Sequence, residues 1–253
     1  MRVNRLPRYA LAAAALGLLL SVNPAASTTS AAPAPSVTWS DPDAVTAGTT
    51  STTSTTLYRF SSIVSGKPVR WNPCQPIHWK FRTTGAPTGS GTVVRNAIAK
   101  ISAATGIPFV YDGSTTATPT SSWLPKTSSG IRPVLIGWTD ASHSDLLRNQ
   151  PAAVLGVTRT AYFGILQGST TLAATKAAVI ALDRTNKLPL TGSVSWTTTM
   201  LHELGHAMGL DHVTNSGQLM YPVLQRNLTG LQSGDKAGLY KLGKAYGCIN
   251  LGF

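Results

Sequence analysis

The sequence predicts an α+β fold, α/β-like in its N-terminal part, in which a sheet is packed by a few helices. Three observations carry this. Strand-like and helix-like periodicities alternate between residues 77 and 183. The stretch 57–253 is just under 200 residues long, enough to bury one good core, so a single domain is expected there. Finally, the run His202-Glu203-Leu204-Gly205-His206-Ala207-Met208-Gly209-Leu210-Asp211-His212 has the spacing of a helix followed by a sharp turn.

The segments ahead of the domain come first. Met1 to Arg8 is basic, Tyr9 to Leu20 is apolar, and small residues follow at Pro24 to Ser27. That order is expected of a secretory signal peptide over 1–26, with a second cleavable sequence at Ala32 to Ala34. Roughly a dozen apolar residues fall short of the ~20 that span a bilayer, so no stable membrane anchor is expected. Residues 27–56 are rich in Ser, Thr, Ala and Pro and end in Thr49 to Thr56. Such a stretch offers little apolar surface against its ordering entropy, and reads as a linker or short propeptide.

Within the domain, Ile77 to Arg82 alternates apolar and polar residues as a half-buried strand, with His78 on the polar side. Val94, Ile98 and Ile101 recur at helical spacing between Thr92 and Ala104, and Gly106 is a natural stop. Phe109 to Tyr111 reads as a short strand, Ile131 to Trp138 as a buried one, and Val154 to Phe163 as an exposed strand near a cleft. Ala177 to Leu182 is a further apolar strand that ends at Asp183. Ser193 or Ser195 can cap the helix that carries His202, and Ser233 to Ala245 has the character of a closing helix.

The formal charge is +12, and loss of Arg2, Arg5 and Arg8 with the signal would take it to +9. The cations are scattered singly and are not interleaved with aromatics, so no nucleic-acid partner is expected. The two cysteines, Cys74 and Cys248, lie near the two ends of the domain. In an exported protein they can pair, which in the chain-entropy model is worth on the order of 4–5 kcal/mol. The alternative is a free Cys74 thiolate that occupies a metal before activation.

The histidine run is the chemical centre. It contains three of the five histidines and Glu203, the only glutamate of the chain. With these frequencies, a chance match to its pattern is on the order of one in a million. His202 and His206 lie on one face of a helix at i,i+4 and can chelate one ion, while Gly209 can take positive φ and bring His212 back as a third ligand. Three neutral imidazoles leave the fourth position of a tetrahedral Zn2+ open to water, as in a catalytic site. The metal would acidify that water and Glu203 would accept its proton. Asp211 can orient a histidine ring, or be a capping or exposed residue.

His202 to His212 resembles the extended zinc-binding signature of the metzincin metallopeptidases, and Leu210-Asp211-His212 resembles the matrixin branch, in its compact secreted bacterial form. Leu219-Met220-Tyr221-Pro222 is similar to the matrixin Met-turn, in which Met220 would form an apolar floor beneath the zinc. The resemblance implies a zincin fold: a twisted, mostly parallel sheet, an active-site helix, a C-terminal helix, and a cleft between two subdomains. It implies a secreted zinc endopeptidase acting on protein or peptide substrates as a monomer. His202, His206 and His212 would be the ligands, Glu203 the general base, and Tyr221, Pro222 and Val223 the wall of a substrate pocket. A calcium requirement has no support, because acid-rich loops are lacking. The competing expectation is a non-catalytic secreted protein of the same fold that uses zinc only for stability.

Overall fold

Ile77, Trp79 and Phe81 are buried while His78, Lys80 and Arg82 face away from them, so the alternation of this stretch yields a strand with one core face. The computed structural model describes residues 36–40, 57–126, 130–167 and 169–249. In chain order the elements are β1 (Ser36–Ser40), β2 (Arg59–Phe60), β3 (Ile63–Val64), β4 (Lys67–Pro68), β5 (Ile77–Arg82), α1 (Ser90–Thr105) and β6 (Phe109–Ser114). There follow β7 (Val134–Thr139), β8 (Gly156–Gln167), β9 (Thr170–Asp183), α2 (Trp196–Met208), β10 (Leu210–Asp211) and α3 (Ser233–Leu242). The proposed signal segment, 1–26, lies outside the described residues.

The main sheet has the order β1-β8-β9-β7-β5-β6. The pairs β6/β5, β5/β7 and β7/β9 are parallel; β9/β8 and β8/β1 are antiparallel. Parallel neighbours need long crossovers, and α1 with its flanking loops supplies the one between β5 and β6. The central strands are buried on both faces. In β9, Ala178, Ile180 and Leu182 pack with α1, α2 and α3, while Ala177, Val179 and Ala181 pack with Leu124, Leu146, Leu147 and Val154 on the other side. This is why Val134 to Thr139 and Ala177 to Leu182 read as near-continuous apolar runs.

The helices are placed by their apolar stripes. Val94, Ala97, Ile98 and Ile101 of α1 enter the same core as Leu201, Leu204 and Met208 of α2. Gly106 ends α1 in the left-handed conformation, with its N–H on the Ser102 carbonyl. Trp196, in the first turn of α2, meets Trp138 of β7 edge-on with ring centroids 5.5 Å apart, which sets α2 directly beneath the sheet.

Three expectations are adjusted. The strand read from Ile131 begins at Val134, and Ile131 is exposed. The strand read from Ala177 begins at Thr170, because a long hairpin with β8 extends it past the apolar run. Within the stretch read as a linker, Ser36–Ser40 forms β1, the edge strand on β8. Backbone pairing needs no apolar side chains, so composition alone gave no sign of it.

Cys74 and Cys248 form a disulfide, with Cα atoms 5.3 Å apart. It ties the loop before β5 to the tail after α3. Neighbouring hydrogen bonds reinforce it: Arg70 Nη2 donates to the carbonyls of Tyr246 and Gly247 at 3.0 and 2.9 Å, and Asn72 Oδ1 accepts the N–H of Ile249 at 3.2 Å. The bridge closes a loop across a separation of 174 residues. Replacing both cysteines by serine should therefore lower the melting temperature by roughly 10–20 °C, since ~5 kcal/mol at about 2–4 °C per kcal/mol is at stake. Calorimetry of the parent and the double variant, with and without reductant, reads this directly; only the parent should respond to reductant.

Candidate metal centre

Helix α2 starts at Ser195, whose hydroxyl accepts the Thr198 N–H while the Thr198 hydroxyl accepts the Ser195 N–H, a capping box. Of the two serines that could cap this helix, Ser195 does so. One face of α2 is core and the other carries His202, Glu203 and His206, all buried. Gly209 then adopts φ 112°, with its N–H on the carbonyls of Gly205 and His206. A Cβ there would lie 2.9 Å from the Val69 carbonyl oxygen, so both conformation and space call for glycine. The reversal leads into β10 and returns His212 to the helix.

The three imidazoles converge. Every pair of Nε2 atoms among His202, His206 and His212 lies 3.1 Å apart. The Nδ1 of His202 faces the Leu219 carbonyl at 2.8 Å, and that of His206 faces the Leu210 carbonyl at 2.9 Å. A carbonyl can only accept, so each Nδ1 carries the proton and each Nε2 presents a lone pair inward. Lone pairs clustered in this way repel one another unless a cation lies between them. Tetrahedral Zn–N bonds would set the nitrogens roughly 3.3 Å apart, close to the spacing found, so the donor set fits zinc. Burial pushes the pKa of all three rings below the ordinary histidine value; neighbouring imidazoles add to this at His202 and His212. His212 is only half-buried, so the cluster meets solvent on its side.

Glu203 is buried, and its carboxylate Oε2 accepts the Thr158 hydroxyl of β8 at 2.7 Å. Opposite it is Gly156, where a Cβ would lie 3.0 Å from Glu203 Cγ, so β8 gives this side chain both a hydrogen bond and room. Met220 packs against the helix that carries His202 and His206: a Cβ on Gly205 would come within 2.5 Å of its Sδ. The chain around Met220 is held by the buried Asp235 of α3, which accepts the N–H groups of Leu219, Met220 and Gln232 at 2.8, 3.1 and 2.7 Å. Burial raises the Asp235 pKa, against the effect of those three donors. Tyr221 and Pro222 are half-buried just beyond Met220, and Val223 is exposed.

Asp211 is neither exposed nor bonded to a histidine ring. It is buried, accepts the His212 N–H on Oδ1 at 2.7 Å, and pairs through Oδ2 with Arg59. His78 faces away from the site and pairs with Asp112. Thr158, Gly156, Asp235 and Arg59 were not singled out in the sequence. Only the reading of Val154 to Phe163 as an exposed strand near a cleft pointed toward the first two, and that strand is in fact largely buried, because it pairs with β9 and packs against the core.

Gly205→Ala should destabilise the fold by roughly 1–2 kcal/mol, because the overpacking against Met220 outweighs the better helix propensity of alanine. Chemical denaturation of the metal-free protein measures it. The histidine shifts give a pH dependence of definite sign. The folded rings stay neutral while the unfolded chain takes up protons near pH 6.5, so stability is present above that pH and lost as pH falls below it. Thermal melts of metal-free protein between pH 7.5 and 5 should show a steepening loss below about 6.5. His202→Phe/His206→Phe should flatten the curve.

The comparisons with known proteins agree with this geometry. The family model for Matrixin, Peptidase_M10, matches residues 91–244, which includes the whole histidine run and Met220. No curated protein matches the chain. Among the described residues, no helix is long and apolar enough to cross a membrane. A match over more than half of the chain, with three converging histidines in the metzincin zinc-binding pattern, places the protein in the matrixin family of zinc metallopeptidases.

Proposed function

We propose that the protein is a secreted zinc-dependent endopeptidase in which His202, His206 and His212 hold one zinc ion and Glu203 is the general base. The observation that carries the reading is Glu203 itself: the sole glutamate of the chain, held by the Thr158 hydroxyl on the helix face that carries the first two histidines. A site that uses zinc only for stability has no need of a positioned base. Zinc at the three Nε2 atoms would supply a Lewis acid that acidifies a water molecule and polarises the substrate carbonyl.

The chain's own groups do the rest. The Nδ1–H bonds to Leu219 and Leu210 keep the rings of His202 and His206 in the ligating tautomer. Glu203 accepts the proton of the attacking water on its carboxylate and then delivers it to the departing amine nitrogen. Thr158 fixes the rotamer of Glu203 by donating to Oε2. Met220 keeps the floor dry and apolar. Tyr221, Pro222 and Val223 wall the pocket for the side chain that follows the scissile bond.

Export rests on the basic, apolar and small-residue order of 1–26, and the disulfide is consistent with an oxidising compartment. The domain limits follow: signal over 1–26, linker or propeptide over 27–56, and the catalytic domain over 57–253, acting as a monomer.

Glu203→Ala should retain one equivalent of zinc and lose casein cleavage by at least about 100-fold. Metal analysis and a fluorogenic casein assay on the same sample measure both. Undiminished cleavage by that variant rules out the mechanism. A zinc-loaded parent without peptidase activity would favour the non-catalytic alternative.

A further inference from the structure

The three residues Arg59 to Ser61 lie 30 or more positions upstream of the stretch that matches the family, yet they pair with the turn that returns the third histidine. β2 runs antiparallel to β10, with Phe60 opposite Leu210 and Arg59 opposite Asp211. The Ser61 N–H donates to the Gly209 carbonyl at 2.9 Å. Residues 209–211 are therefore zipped to 59–61 by backbone bonds, and this segment holds two parts of the centre. The Leu210 carbonyl orients His206, and the Asp211 carboxylate accepts the N–H of His212.

The side-chain contact is more specific than the strand pairing. Arg59 Nε donates to Asp211 Oδ2 at 2.9 Å, and Nη2 donates to the same oxygen. Asp211 Oδ1 is thereby left for the backbone of His212, at 2.7 Å. The carboxylate is a bridge with one oxygen for the guanidinium and one for the ligand-bearing residue. The Asp211 side chain is 7 % exposed, and a buried carboxylate needs such partners to keep its rotamer and charge. Without Arg59, it would turn toward solvent and release the His212 N–H. We propose that Arg59 is a positioning residue for the metal centre: through Asp211 it fixes His212, the most exposed of the three histidines, in the ligating position.

This inference rests on the reading of the three histidines as zinc ligands, and the test separates the two. Full-length secreted parent, Arg59→Met, Arg59→Lys, Asp211→Asn and the Arg59→Met/Asp211→Asn double variant are titrated with zinc against a chelator of known affinity. Arg59→Met keeps the length of the side chain and removes its charge and donors. It should weaken zinc binding about 10- to 100-fold, the range seen when partners of ligating residues are removed. Arg59→Lys should recover part of the loss, because a single ammonium donor can still reach Oδ2. In the Asp211→Asn background, Arg59→Met should cost little more. In the peptidase assay at saturating zinc, kcat should fall while KM stays near the parental value, whereas general loosening of the fold would lower the melting temperature of metal-free Arg59→Met in proportion. Parental zinc affinity in Arg59→Met, or an undiminished loss in the Asp211→Asn background, overturns the positioning role. A parent that binds no stoichiometric zinc overturns the ligand assignment instead.

Discussion

Three imidazole nitrogens held 3.1 Å apart, those of His202 and His206 with their lone pairs turned inward, form an arrangement that a protein interior resists. The rings are desolvated, they cannot satisfy one another, and protonating any of them is opposed by burial. Much of the remaining structure can be understood as the means of keeping them there. His202 is fixed through the Leu219 carbonyl, and Leu219 is fixed in turn by the Asp235 carboxylate of α3. His206 is fixed through the Leu210 carbonyl, and Leu210 lies in β10 against β2. Two ring orientations thus depend on two separate parts of the chain, one from each end of the domain, and the disulfide joins the regions just beyond them.

Close approach is the second constraint. The centre is assembled where backbone and side chains come nearer than a Cβ allows. At Gly205 the helix admits the Met220 sulfur, at Gly209 the turn passes the Val69 carbonyl, and at Gly156 the strand admits Glu203. These three glycines serve three different partners, and together they let the helix, Met220 and the neighbouring strand approach closely. A zinc peptidase needs its base and its ligands on a common rigid body, because small displacements of the proton acceptor are costly in rate. Here α2 carries Glu203 and two of the three histidines, and the sheet above holds Glu203 from the other side.

The sheet has a matching asymmetry. Its central strands β7 and β9 are buried on both faces and form the scaffold, whereas the antiparallel β8 supplies Thr158 and Gly156 to the site. Strand β1 extends that same edge over residues 160–164, from a stretch whose composition is that of a linker. The end of β8 nearest Glu203, residues 156–159, lies beyond this pairing.

What was legible in the sequence was local. The 3.6-residue period placed His202 and His206 on one face, Gly209 announced the reversal, and the spacing to His212 and Met220 followed from the chain immediately downstream. The alternation at Ile77 to Arg82, the stripe of α1 and the apolar run of β9 likewise report contacts that repeat at a fixed interval. Strand ends were less legible, because the hairpin of β8 and β9 and the pairing of β1 are backbone matters that leave side-chain composition free. The partners of the site could not be read at all. Thr158 reaches Glu203 across 45 residues, and Arg59 reaches Asp211 across 152. Asp211 shows the division within one residue. Its place in the histidine run was evident from the sequence, but its role depended on which cation the fold brought to it. Periodicity encodes which face of an element is buried. Only the packing of distant elements decides what that face meets, since a single long-range hydrogen bond leaves no repeating pattern in the chain.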